Sequence, residues 1–361
     1  MSAYIYPFVF LSFLTIFENI NKFCKILDNK FFYYLVSIFF IFFIGLRLEI
    51  GCDWSRYVLM FDKYEVLSFW EILKNNFISG HKLQELGHIL ITIISKNIYT
   101  LNTIYAILFT IPLFYFCSKL KRKYLSLLVS YPYYIVVVGM GPIRQAACIS
   151  ILMLSIILVS NKKYYLYFLN TVFSLLIHQF SIIFNGLILI HNLPRLIRTK
   201  FRKNNILYLL IIITIIIFCS PSIIDKTFYY FKLYGTIISP AKSAIYLWFI
   251  HFIPSIIFLS NINKFNLEKS LKKILISFSI FGFVILPIIF INSVIAYRLL
   301  LYLFPSSILI TSYIPDLSLF KINSSIILYS IVMSSLFSLL IWLNLAFHSS
   351  CWVPYKNILI K

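Results

Sequence analysis

Four arginines, Arg47, Arg56, Arg144 and Arg298, sit where topology alone does not call for a cation. A planar guanidinium holds phosphate oxygens in pairs, so arginines converging from separate segments suit a polyanionic ligand. Arg47 opens the run Arg47-Leu48-Glu49-Ile50-Gly51-Cys52-Asp53-Trp54-Ser55-Arg56-Tyr57. Arg144 follows the chain break Gly139-Met140-Gly141-Pro142, directly precedes Gln145 and starts an apolar run. A cation there is costly unless it meets water, a carboxylate or an anion. The plain alternative is a side chain snorkelling to the interface. Arg298 stands alone in a long apolar stretch, with a structural ion pair as its rival role. Asp53, Glu85 and His178 are the groups that could take or give a proton beside these cations. Glu85 and His88 fall at i, i+3, on one face of a helix. His178, in Leu176-Ile177-His178-Gln179-Phe180-Ser181, serves either as an acid–base group or as a hydrogen-bonded core residue. His251 lies in an apolar run with weaker context, and His81, His191 and His348 read as solvated.

The elements that position these residues follow from composition. Of 361 residues, 61% are hydrophobic and 12% charged, and mean hydropathy is +0.92. A soluble chain could not cover so much apolar surface. The fold class is therefore all-α, a polytopic membrane helical bundle of about 12 transmembrane helices, within a range of about 10–12. Spans are expected at 2–17, 31–46, 100–118, 124–139, 144–160, 164–177, 178–194, 205–221, 245–260, 274–291, 295–314 and 324–346. The first lacks a basic leader and a small-residue cleavage site, so it reads as a retained span. Residues 164–193 would make a helix of about 45 Å, too long for a core of about 30 Å, and are folded as a hairpin turning near His178. Leu86–Ile98 is too short to span and reads as an outer interfacial or re-entrant helix.

The net charge of +21 does not indicate nucleic acid, because the 32 Lys and Arg form short clusters between apolar runs. Six loops, at 18–30, 119–123, 161–163, 195–203, 264–273 and 315–322, hold 19 of them in 48 residues. That asymmetry marks the cytoplasmic face and puts both termini outside. The chain reads as one membrane domain, 1–361, with outer loops at 47–99 and 222–244, the second carrying Lys226, Lys232 and Lys242. Its six cysteines show no CxxC spacing and read as small packing residues. Trp54, Tyr57, Trp70 and Tyr131-Pro132-Tyr133-Tyr134 lie near loops, as interfacial aromatics or, less commonly, as sugar-stacking surfaces. No HExxH, DxD, P-loop, GxSxG or paired-cysteine motif occurs, which argues against a metalloprotease, an ATP-driven pump and a nucleotide-sugar-dependent enzyme. No metal cage is recognisable, and no cofactor is called for.

At these residues the chain resembles the EpsG/Wzy-like family of bacterial polysaccharide polymerases. Arg47, Gly51, Asp53 and Tyr57 match its early motif, followed by Glu85 and Gly87, then Arg144-Gln145 at the start of a span. His178 and Ser181 match a His-x-Ser, here one residue wider, and Arg298 supplies the late arginine. The resemblance implies an outward-facing site in the bacterial cytoplasmic membrane. That site would join repeat units carried on undecaprenyl pyrophosphate, as in O-antigen or capsule synthesis. Its partners would be lipid-linked glycan donor and acceptor and membrane lipid, with a chain-length regulator and a flippase as further candidates. Arg144 and Arg298, with Arg47 or Arg56, would bind pyrophosphate, and Gln145, Tyr57 and His88 would line the site. Asp53, Glu85 or His178 would serve as the base, and Asp53 could instead orient Arg56 or Arg144. A ligase-like membrane glycosyltransferase and a transporter of lipid-linked oligosaccharide are the rival readings. Transporters tend to show internal repeats, and none is evident here.

Overall fold

An apolar run in lipid has no water to bond its backbone, so it closes its N–H and C=O groups internally as helix. The computed structural model follows that constraint. It describes residues 1–18, 27–65, 86–198, 242–317 and 322–359, with isolated positions in 70–74 and 224–232, and every named element among them is helical. In chain order these are α1 (Ser2–Phe17), α2 (Lys30–Gly45), α3 (Trp54–Glu65), α4 (Leu86–Ile94) and α5 (Ile98–Ser118). There follow α6 (Lys123–Ser130), a π-helix at Tyr131–Val138, α7 (Ile143–Ser160), α8 (Tyr164–Ile177) and α9 (Ser181–Arg198). Last come α10 (Lys242–Ser260), α11 (Lys269–Ile291), α12 (Ser293–Leu300), a 3-10 turn Leu301–Leu303, α13 (Phe304–Tyr313) and α14 (Ser324–Leu345). Among the described residues six helical stretches are long and apolar enough to cross a membrane, and five shorter apolar helices accompany them. The expected span 205–221 and most of the 222–244 loop lie outside the described residues.

Two compact units are distinguishable, each drawn from separated stretches. The first comprises Met1–Ile72, His88–Ile151 and Ile308–Lys361. In it α2 packs along α5, so closely that a Cβ on Gly45 would lie 2.9 Å from the Thr103 Cα. Three of the four basic residues of 119–123 are tied to acidic partners. Arg122 donates to Asp316 at 2.6 and 3.1 Å, Lys121 sits 3.2 Å from the same carboxylate, and Lys123 pairs with Asp28 at 2.9 Å. Burial alone would raise the Asp316 carboxyl, but Arg122 and then Lys121 outweigh it and hold it below its usual range. The tyrosines Tyr131, Tyr133 and Tyr134 are fully buried rather than interfacial. The Tyr131 hydroxyl donates to Tyr4 O at 2.7 Å, and the Tyr134 hydroxyl bonds Ser150 at 2.7 Å, so this motif joins helices.

The second unit comprises Leu73–Gly87 and Leu152–Ser307. The hairpin expected near His178 is present: α8 ends at Ile177, and Ser181 N–H bonds back to His178 O at 3.2 Å before α9 begins. Asn185 fixes the hairpin's packing. Its side chain accepts from Ser155 at 3.0 Å and donates to Ser174 at 3.1 Å, while its backbone carbonyl accepts from the Tyr167 hydroxyl at 2.7 Å. In an apolar medium such polar groups are held by each other because no solvent competes. His191, expected to be solvated, is half-buried and hydrogen-bonded to Ser277.

Gly51 gives the sharpest test of this packing. Its φ of +97° is open to glycine, and a Cβ there would lie 2.3 Å from the Met140 carbonyl oxygen. Gly51→Ala is expected to lower thermal stability in detergent by more than the roughly 1–3 kcal/mol of backbone strain alone. Gly186→Ala, with open space around it on α9, should leave stability unchanged or raise it by up to about 1 kcal/mol.

Candidate functional site

The early motif folds into a short loop between α2 and α3 whose backbone twice enters positive φ, at Glu49 (55°) and Gly51 (97°). Arg47 turns inward beneath that loop and is 1% exposed. Its Nη1 donates to Ile44 O at 2.7 Å, an end carbonyl of α2 that the helix itself cannot pair. Its Nε donates to Ile50 O at 3.1 Å and its Nη2 to Asn102 Oδ1 at 3.1 Å, and the group lies 5.8 Å from the Trp54 ring. Burial pushes the guanidinium down to about 10, with Tyr57 and Tyr355 pulling the other way, so it stays a cation at neutral pH. Arg47 therefore spends its donors on the loop's backbone and on α5.

Asp53 closes the loop, and its carbonyl accepts from Tyr57 N–H at 3.0 Å in the first turn of α3. Asp53 is half-buried and Arg56 exposed. Tyr57 is buried, with the Arg144 guanidinium 5.7 Å from its ring centroid. Burial raises the Tyr57 phenol and Arg144 opposes that shift, so the phenol remains neutral. His88, on α4, meets the Tyr57 ring edge-on at 6.1 Å and bonds the Tyr105 hydroxyl through Nδ1 at 2.8 Å. At nine residues α4 is about 14 Å long, too short to cross a bilayer.

Arg144 and Gln145 begin α7 just after the Gly141-Pro142 bend. The π-helix before it carries Pro132 and ends on Gly139, which delivers the chain to that bend. Arg144 is half-buried and Gln145 buried. A helix N-terminus carries positive potential, and a guanidinium in its first turn adds to it, so an anion is favoured there. Arg47, Asp53, Arg56, Tyr57, His88, Arg144 and Gln145 thus share the first unit, and contacts tie Tyr57 to both Arg144 and His88.

The second unit holds His178 and Arg298, described there separately. His178 is buried and bonds the Tyr302 hydroxyl through Nδ1 at 2.8 Å. Tyr302 stacks on Phe184 at 4.7 Å and follows Arg298 by one turn, where α12 tightens into its 3-10 segment. His251 bonds Ser307 at 2.7 Å a little further along the same path. Arg298 is half-buried. Glu85 lies outside the described residues.

Sequence reasoning missed four participants. Asn102 and Tyr105 sit three apart in the α5 run, and a buried Asn in an apolar helix was the available signal. Cys52 and Cys351 are not packing residues but a disulfide across 299 positions, for which no local spacing could speak.

A family model described as the EpsG family matches residues 30–357. The chain belongs to the EpsG family. With six apolar helices of spanning length among the described residues, it is a multi-pass membrane protein. No curated protein and no solved structure matches it.

Arg47→Met should unpair two backbone carbonyls and Asn102, at about 1–3 kcal/mol for each buried group. Thermal unfolding of the detergent-solubilised EpsG-family protein is expected to show a marked loss for Arg47→Met. Arg56→Ala, at an exposed position, should stay within about 0.5 kcal/mol of the parent. Equal stability of all three would remove Arg47 from its anchoring role.

Proposed function

We propose that this protein is a membrane polysaccharide polymerase. In this reading it joins glycan units carried on undecaprenyl pyrophosphate, at the outer face of the bacterial cytoplasmic membrane. The observation that carries the proposal is Arg144, half-buried at a helix N-terminus and set against Tyr57 on the strand of chain that holds Asp53. Family membership supports the polymerase class. The disulfide supports an outward face for this loop, because such bonds persist in oxidising compartments and not in the reducing cytosol. The dense basic loops on the opposite face support the same orientation.

The chemistry is a glycosyl transfer. An acceptor sugar hydroxyl attacks the anomeric carbon of the donor chain, and the carbon–oxygen bond to pyrophosphate breaks. The electron pair leaves with the lipid pyrophosphate, where negative charge grows in the transition state. Fixed cations aimed at that oxygen lower the barrier more than they bind the ground state. Arg144 takes that role, with the exposed Arg56 as a second phosphate contact and Gln145 beside them. Arg47 serves as the anchor of the loop, since its donors are already committed. The acceptor's proton passes to a carboxylate or imidazole, with Asp53 the base within the first unit and Glu85 and His178 the other candidates. Tyr57 orients Arg144, and His88 with Tyr105 backs Tyr57. The reading stands on the first unit alone, and Arg298 keeps its candidacy as a phosphate ligand on chemical grounds.

Arg144→Ala in cells making the polymer is expected to leave the protein in the membrane at normal abundance. The glycan should collapse from long chains to single repeat units on a gel of extracted polysaccharide. Chains of parental length in that variant would sink the assignment.

A further inference from the structure

The loop that carries Asp53 is strained, and strained backbone persists only where its surroundings over-determine it. Here the surroundings are the C-terminal tail. Gly51 N–H bonds Cys351 O at 2.9 Å, Leu48 N–H bonds Lys356 O at 2.9 Å, and Ile358 N–H bonds Leu46 O at 3.0 Å. Arg47 and Asn357 form an antiparallel bridge, and the Tyr355 hydroxyl donates to Phe43 O at 2.7 Å. The tail therefore bonds the loop's backbone at Leu46 and Leu48, before the positive-φ residues, and at Gly51 itself. Its far side grips the approach to Arg144. The Trp352 indole N–H donates to Val136 O at 2.9 Å inside the π-helix, and a Cβ on Gly141 would lie 3.2 Å from the Trp352 ring. Tyr4 of α1 donates to Trp352 O at 2.8 Å. One segment thus touches the backbone on both sides of the Tyr57–Arg144 pair, and the Cys52–Cys351 bond locks it directly beside Asp53.

We propose that the tail Cys351–Ile358 is a positioning strap, and that closing the Cys52–Cys351 bond is a condition for the Asp53 loop and the Arg144 turn to hold their working geometry. The consequence for activity rests on the polymerase reading above. Closure takes two thiols to one disulfide, releasing two protons. Two electrons and two protons pass to a protein disulfide oxidant of the outer compartment, whose own disulfide becomes a dithiol. Cys52 is exposed, so such an oxidant, or an added reductant, can reach it. Cys117 and Cys148 are buried and stay outside this chemistry.

The test uses the full chain in membranes. Mass mapping after alkylation should find Cys52 and Cys351 blocked until a reductant is added, and free thiols at both positions in active protein would overturn the proposal. Amide exchange of residues 46–53 and 139–145 should speed by roughly tenfold or more on reduction, and return on reoxidation. Unchanged exchange in either segment would also overturn it. Cys52→Ser, Cys351→Ser and the double variant should slow polymerisation to the same extent, by up to about 100-fold for a displacement near 1 Å, at unchanged abundance. Trp352→Phe, which keeps an aromatic side chain and the disulfide but loses the indole N–H, should slow turnover with little change in KM. Full-length polymer in the serine variants, beside its loss in Arg144→Ala, would refute the strap and leave the polymerase reading standing. Full-length polymer in Arg144→Ala would instead refute that reading, and amide exchange alone would then judge the strap.

Discussion

A guanidinium buried without solvent has to find its partners inside the protein, and Arg47 finds them in the backbone it precedes. It pairs a carbonyl that ends α2, a carbonyl from the loop above it and an amide from α5. Removing any of these leaves a polar atom unpaired in an apolar surrounding, which is why the three pieces have to be held together. The loop's two positive-φ residues then have no freedom to relax. Asp53 and Tyr57 inherit their positions from that anchor, and Arg144 is met by Tyr57. One cation is thus consumed in building the place where another can act.

The same rule recurs elsewhere among the described residues. Several polar side chains within apolar helices are satisfied in pairs or small networks, such as Asn185 with Ser155 and Ser174, His178 with Tyr302, and His251 with Ser307. The last two both hold the broken path α12–α13, one at its 3-10 segment and one just beyond, in the unit that carries Arg298. A 3-10 break inside an apolar helix loses regular hydrogen bonding, and side-chain partners at the break limit the ways it can move. Among the described residues Asp316 gathers Arg122 and Lys121 at the basic loop 119–123, and Lys356 pairs with Glu49 beside the Arg47 loop.

Much of the architecture was legible because hydrophobic run length and helix rise leave few choices. Residues 164–193 could not cross once, and the turn falls at His178, where the sum of lengths required it. The short α4 and the start of α7 at Ile143 also follow from run lengths and the Gly141-Pro142 break. What stayed hidden depended on contacts between distant positions. Nothing near Cys52 announces Cys351, and the tail's pairing with the Arg47 loop has no periodic signature. Tyr131, Tyr133 and Tyr134 looked interfacial because composition near a loop suggests it, whereas the π-helix turns all three into the core. Arg47 read as a ligand-binding arginine, since residue type cannot reveal that backbone carbonyls occupy its donors.

Of the site's arginines in the first unit, Arg47 thus builds, while Arg144, with Arg56 beside it, is left to bind. The most direct measurement is the rise in unfolding temperature of purified, detergent-solubilised protein on adding inorganic pyrophosphate. A ligand at 100 times its Kd stabilises the folded state by about 2.7 kcal/mol. A clear rise is expected for the parent, a reduced one for Arg144→Lys, and none for Arg144→Ala. An equal rise in the parent and in Arg144→Ala, or no rise in the parent, would contradict that division of roles.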